Sequence, residues 1–512
     1  MKHSFIYITL LFFATFSLGS CKKFLKESSP DEIRPTTTQD LYSLMIGSAY
    51  PYQTPMDYYM DLLTDEIKCN GLPLLANGQP NTTYSSYLTN GTLLFTWNPA
   101  MFDRSVTGLL YDQDSWQIYY KLINGCNLIK DYLDKVTGTE KEKNAMLGQV
   151  LFLRAFYYLK LVNIYGQPYN GSGVDPSTAP GVPLILSSLV SDERKTRNTL
   201  AQVYAQIESD LLQAADLLKN YYAPDNVFRV SYFAAYALLS RMYLYKGGSG
   251  DLDKSIQYAT EVINAKPLTL LKSYFSSTSA FSTAGIYDVN ASQEVVWVYG
   301  PNPSGVALYF PVVGFSNLNP PFTISDELIN LYDKGTGSAN QGDLRYISYF
   351  AKYTNASVQY PWRTLKIANN TGTVYGDKGL RVAEMYLNRA EASILRYKTN
   401  NQAADFTQAL TDLNALRLSR YDTRNVAYTP VNAPGVDSLW NFYQKERRRE
   451  LCLEEGYRWF DIRRWATPIT HTFIDANAQA TTYTLSANSL LYALPIPYTA
   501  TENNSKLDQN PR

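Results

Sequence analysis

The chain has 512 residues, enough for two or three ordinary cores or for one large core in a repeat architecture. Its 46 Lys plus Arg balance 46 Asp plus Glu, which removes the broad basic field that nucleic acid would need, so no nucleic-acid partner is expected. The 43 Tyr, 21 Phe and 7 Trp suit surfaces that are wet on one side and apolar on the other, although packing between helices is expected to take more than half of them.

At the N-terminus, Lys2, an apolar run from Phe5 to Leu18 and then Leu18-Gly19-Ser20-Cys21 read as an export signal ending in a lipobox. Residues 1–20 are expected to be removed and Cys21 acylated, with residues 21–512 forming one globular unit. The run is about 14 residues, too short to span a bilayer comfortably. Later apolar runs fall short of about 18 residues, so lipid alone is expected to hold the chain to a membrane. Cys69, Cys126 and Cys452 have no CxxC spacing and read as buried free thiols, with a single disulfide left open.

After a polar tether, Thr38 is expected to cap a first helix that ends near Pro51. From Cys69 to Phe102 there is no charged residue and much Asn, Gly, Thr and Pro, the composition of a long loop. Helix returns where Trp116, Tyr120, Ile123 and Asn127 share one face, and a second helix from about Thr139 to Tyr165 follows the turn Thr137-Gly138. That second helix is apolar on nearly every side except for Glu142, Gln149, Lys160 and Asn163, so it must be packed on more than one side; Gly166 and Pro168 stop it. Thr199 starts the next helix.

Ser240, Tyr243, Ser255, Val262 and Pro267 occupy the small, aromatic, small, apolar and proline positions of a tetratricopeptide repeat. A hairpin from Arg381 has the same build, with Ala390 and Ala409 at the close contacts. The fold class that follows is all-α: tetratricopeptide-like helical hairpins form a scaffold, with a loop-rich insertion face near 57–110 and 270–376. The second insertion carries only Asp288 and Glu294 as charges between Tyr274 and Ser325, and short strands such as EVVWVYG are expected on one edge of the solenoid. The last long helix, from Leu439 to Ala466, carries Arg447, Glu450, Glu454, Arg458 and Asp461 on one ion-paired stripe. The C-terminal segment reads as chain wrapping back over the surface.

The mature chain has one histidine, His471, which excludes His-based triads and His-rich metal sites; neither a metal nor a cofactor is expected. Glu450 and Glu454 lie one turn apart, but Arg447 and Arg458 favour their ionised forms, and a general acid must hold its proton. Asp65 with Glu66, or Asp288 with Glu294, are the loop carboxylates left for a glycosidase, so no catalytic residue is assigned.

The lipobox with FLKESSP after it, Trp116 to Asn127, Arg154 to Pro168, the hairpin at 381–420 and ERRRELCLEEGYRWFDIRRW at Glu446 to Trp465 come in an order that resembles the SusD/RagB family of outer-membrane glycan-binding lipoproteins. The resemblance implies a scaffold of four tetratricopeptide-like hairpins with a variable binding face. It also implies a lipid-anchored surface protein, without enzymatic activity, that works as a lid on a SusC-like TonB-dependent transporter; a surface glycosidase and a RagB-like peptide-uptake protein are the alternatives. The two low-charge stretches, Cys69 to Phe102 and Tyr274 to Ser325, offer flat aromatic faces beside hydroxyl and amide groups, which suits neutral sugars. Trp97, Trp297, Tyr299, Tyr309 and Trp362, with Asn98 as a polar companion, are the expected glycan-binding residues.

Overall fold

The computed structural model describes residues 34–512 except 53–55, 76, 104–114, 276–284, 301–320, 338–339, 356–357, 365 and 367–377, with backbone alone at Tyr58, 351–355 and 358–364. The longer helices are α1 (Thr38–Ser48), α2 (Ser85–Phe95), α3 (Trp116–Tyr132), α4 (Glu140–Tyr165), α5 (Leu200–Tyr221), α6 (Tyr232–Lys246), α7 (Ser249–Ala265), α8 (Val382–Asn400), α9 (Ala403–Arg420), α10 (Val436–Leu451) and α11 (Tyr457–Arg464). The described strands pair as antiparallel ribbons: β1 (Ile67–Cys69) with β3 (Phe322–Ile324), β2 (Val295–Tyr299) with β6 (Lys378–Arg381), β4 (Phe350–Asn355) with β5 (Val358–Thr364), and β7 (Ile469–Ile474) with β8 (Ala480–Leu485). The protein is mostly helical, an all-α scaffold carrying these small ribbons.

From α3 to α9 each helix packs on the next, and α10 closes the stack against α8 and α9. In α4, 20 of 26 residues are buried, as its all-round apolar surface requires. This helix is long and apolar enough to cross a bilayer, but it is enclosed by the protein. A capping box between Thr139 and Glu142 begins it. At its other end the C-terminal segment supplies partners for the free carbonyls: Leu494 donates its N–H to Ile164 O at 2.9 Å, and Asn510 Nδ2 donates to Tyr165 O at 2.9 Å. Arg154, midway along α4, bridges Asn127 of α3 and Asp210 of α5, at 2.9 and 2.8 Å, so one side chain ties three successive helices.

The small residues of the repeats do what close packing asks of them. Ser240 and Ser255 exchange hydroxyl-to-carbonyl hydrogen bonds of 3.1 and 2.9 Å across the α6–α7 hairpin, and Ala390 and Ala409 are fully buried in one cluster between α8 and α9.

Four expectations are corrected. Thr37, not Thr38, caps α1, through a box with Asp40. The stretch from Cys69 to Phe102 is not all loop: Leu88, Gly91 and Leu94, with Phe95, give α2 an apolar face despite its weak helix formers. Strand β2 is buried on both faces beneath α4 rather than lying at an edge. The last long helix is broken at 452–456, where Leu453, Glu455 and Gly456 take left-handed conformations with φ of 55°, 56° and 72°.

Gly125 of α3 sits against the end of α1, where an ideal Cβ would overlap the Ser48 carbonyl, a backbone group that cannot rotate away. A buried-helix Gly→Ala change usually stabilises by about 0.5–1 kcal/mol. Here the sign reverses: Gly125→Ala should destabilise by roughly 1–3 kcal/mol in denaturant unfolding, because the contact is overpacked. A gain in stability would show that α1 is free to shift.

Candidate functional site

The break between α10 and α11 turns the charged motif inward. Glu450 accepts hydrogen bonds from Arg381 Nη1 at 2.7 Å, Arg420 Nε at 2.9 Å, Arg345 Nη1 at 3.1 Å and the Tyr349 hydroxyl at 2.9 Å, all fully or almost fully buried. Glu294, just before β2, holds the same Arg381 and Arg420 at 2.7 and 2.8 Å. Glu446, one turn before Glu450, binds Arg345 at 2.7 Å and Arg417 at 2.8 Å. Beside this cluster, Glu455 from the break meets Lys160 of α4 at 3.0 Å and Arg241 of α6 at 3.4 Å, and Lys160 reaches Asp57 at 2.8 Å. The expected stripe of neighbours along one helix is therefore replaced by long-range pairs: Arg447 binds Asp461 and Arg458 binds Asp65, each at 2.7 Å.

These environments decide what the carboxylates can do. Burial would raise Glu450 and Glu446, but Arg420 and Arg381 around the first, and Arg345 and Arg417 around the second, hold them low, Glu446 at about 2. Neither keeps a proton for general acid catalysis at neutral pH. Asp65 is likewise brought down to about 2 by Arg458 and Arg448 against the cost of burial. Its neighbour Glu66 goes the other way, pushed up to about 8 by burial, and so holds a proton. It is only 1 % exposed and spends one oxygen on the Leu453 N–H at 2.8 Å, locking the break in place. Glu294 is bound up in the arginine cluster through Arg381 and Arg420.

The two low-charge stretches come together. β1 pairs with β3, Asn70 N–H donates to Pro321 O at 2.7 Å, and Phe322 lies over Gly91 and 5.3 Å from the Phe95 ring of α2. β5 packs beside β3, so the strand that carries Trp362 joins the same region. On the outer surface there, Thr82, Thr83, Ser86 and Thr89 are exposed beside Leu74 and Leu75, with Tyr87 half-buried, and the exposed Lys68–Asp326 pair, 2.7 Å apart, ties β1 to the end of β3.

Three of the expected glycan-stacking side chains do not face that surface. Trp297 is fully buried, edge-on to Phe152 and Phe156 of α4 with centroids 5.2 Å away, and Tyr299 stacks on it at 4.9 Å. Trp97 is buried against His471 at 4.2 Å and donates its indole N–H to Leu63 O at 3.0 Å. His471 itself is a core residue, with Nδ1 2.7 Å from Phe95 O and Nε2 3.0 Å from Thr64 O. As placed, these aromatics serve packing, the commoner use of such residues. Asn98 is half-buried, and its Oδ1 accepts from the Ala100 N–H at 2.8 Å. Tyr309, the Trp362 side chain and the proposed anchor Cys21 lie outside the described residues. Cys69, Cys126 and Cys452 are buried free thiols. The helix that carries Tyr87, Thr89 and Thr92 has no signal in the sequence, because an uncharged Ser/Thr/Asn stretch reads as loop.

Comparison with known proteins decides the family. A family model described as SusD-like_3, starch-binding associating with outer membrane, matches residues 61–244, and the model of the SusD family, SusD_RagB, matches residues 275–512. The chain belongs to the SusD/RagB family. Two relatives from Formosa agariphila, SusD-like protein P2 and SusD-like protein P38, are each 24% identical to it, over 77% and 89% of this chain and 79% and 90% of their own lengths. A third, SusD-like protein P25, is 23% identical over 61% of this chain, and the match spans 57% of that relative. Among solved structures, a SusD superfamily protein from Bacteroides thetaiotaomicron superposes with a TM-score of 0.66 at 22% identity, covering 93% of this chain and 100% of that one. A SusD-like carbohydrate binding protein from Bacteroides vulgatus gives 0.62 at 20% identity, covering 92% and 97%. The SusD motifs from Trp116 to Asn127 and from Arg154 to Pro168 fall inside the first match, and Glu446 to Trp465 inside the second.

A protonated buried carboxyl has a definite pH signature. Because the Glu66 pKa is raised on folding, its contribution is present below about pH 4, the unfolded value, and is lost as pH rises through about 8. Glu66→Gln mimics the neutral form at every pH. It should therefore be more stable than the parent at pH 8 by on the order of 1–3 kcal/mol and nearly equal at pH 4. An unchanged pH dependence in thermal unfolding would mean that Glu66 is ionised.

Proposed function

We propose that this chain is a lipoprotein of the outer membrane, anchored through Cys21, that captures a neutral glycan at the cell surface and passes it to a SusC-like TonB-dependent transporter without modifying it. The observation that carries the binding half is the convergence of the two low-charge stretches on one region rich in hydroxyls, amides and aromatic rings. A pyranose offers C–H groups on its faces and hydroxyls around its rim, so it matches aromatic faces set among neutral hydrogen-bonding groups. An acidic polymer would want Lys or Arg there. Family membership and the starch-binding, outer-membrane description of the matching family model support both halves. Against the glycosidase alternative, the carboxylates Glu450 and Asp65 are held ionised and Glu66 is shut off from solvent.

With Trp97, Trp297 and Tyr299 taken by the core, Tyr309, Trp362, Asn98 and Tyr87 are the residues assigned to the glycan. Affinity electrophoresis against neutral polysaccharides should show retardation, with intact polymer recovered afterwards. Tyr309→Ala or Trp362→Ala should weaken binding by roughly 1–3 kcal/mol with little change in melting temperature. Trp297→Ala should instead destabilise the fold by about 3–5 kcal/mol. Detergent extraction of a tagged chain should recover a much larger membrane protein, and Cys21→Ala should release the chain from the membrane. No retardation by any neutral polymer, binding of peptides alone, or shortened products would overturn the reading.

A further inference from the structure

At the C-terminal end of α4, the turn after the helix and the segment before Tyr492 border a cavity of about 380 Å³, remote in sequence from the low-charge stretches. Its lining includes Gln167, Val174, Asp175, Asn488 and Tyr492, with Arg463 of α11 among them, only 3 % exposed. Nine arginines of the described chain are buried, and eight of them pair with a carboxylate; Arg463 has none. One Nη donates to Gly166 O, just past the α4 terminus, where the negative end of the helix dipole offsets part of the charge. Its Nε is buried with no acceptor at all. A guanidinium shut away from water with a free donor is costly unless an anion completes it.

We propose that this cavity binds a hydroxylated monocarboxylate of the size of one uronic acid unit, with its carboxylate on Arg463. A carboxylate offers two oxygens to a planar fork of N–H donors, the geometry for which arginine is suited. Asp175 chooses among the anions. Its oxygens cap its own turn, accepting from the Ser177 N–H at 2.9 Å and the Ser177 hydroxyl at 2.7 Å, so it stays ionised at the cavity and repels a second negative charge. A dianion is disfavoured there, whereas ligand hydroxyls find acceptors and donors in Asp175, Gln167 and Asn488, beside the apolar surface of Val174 and Tyr492. The assignment is independent of the neutral-glycan reading and holds whether or not the uncharged region binds sugar.

Calorimetric titration of the mature chain with glucuronate, glucose and sulfate tests it. Glucuronate should bind saturably, with glucose and sulfate each at least about tenfold weaker, as loss of a charge-assisted pair implies. Arg463→Gln should weaken glucuronate by about tenfold or more while the melting temperature holds or rises, since the variant removes an uncompensated buried charge. Ser172→Trp, at an exposed position on the rim, should block binding with Arg463 intact and keeps the test open if Arg463→Gln does not fold. Failure of glucuronate to saturate, binding that survives Ser172→Trp, or sulfate binding as tightly as glucuronate would overturn the assignment.

Discussion

The structure depends on the ionised side chain of Glu450. Its three arginine partners come from a single helical turn at 345–348, from strand β6 and from the end of α9, so the carboxylate is satisfied only when the insertion and two parts of the scaffold have met. Burying such charges costs several kcal/mol per ion unless each is paired and hydrogen-bonded. A partly assembled chain would leave uncompensated charge inside, so the cluster penalises every arrangement but one. The break at 452–456 belongs to the same device: a continuous helix would have carried Glu454 and Glu455 past Arg381 and Lys160 instead of aiming them inward.

That joint relieves the uncharged region of structural work. Glu294 fixes β2 from below through Arg381 and Arg420, and Glu66 and Asp65 fix the approach to β1 through Leu453 and Arg458. With both roots clamped, the stretches between them need no ion pairs of their own, and their surface can be given over to hydroxyls, amides and rings. Function grafted on loops above a rigid frame is the usual division of labour in such folds.

What the sequence revealed and what it hid follow from the range of the interactions. The all-round apolar α4, its Gly166 stop, the Thr139 and Thr199 caps and the small residues Ser240 and Ser255 are local or periodic signals, and all appear as expected. The partners of Glu450 lie 30 to 105 residues away along the chain, and no spacing rule reaches them. The aromatics misled for another reason. A tryptophan that stacks on a sugar and one that packs edge-on against Phe156 have the same letter and the same flat apolar face, and only the depth of the strand beneath α4 separates them. Helix α2 was hidden because Ser, Thr, Asn and Gly report poor propensity, while the packing of its Gly91 and Phe95 against Phe322 decides the matter.

The separation of scaffold from binding face can be measured on one variant, Glu450→Gln, by following thermal unfolding and neutral-glycan affinity on the same preparation. Removing one charge from the buried cluster should cost roughly 3–5 kcal/mol of stability. The account predicts an early transition and, at temperatures where the variant remains folded, an unchanged dissociation constant. Weakened glycan binding with an unaltered transition would contradict it, and would move Glu450 from the frame into the site.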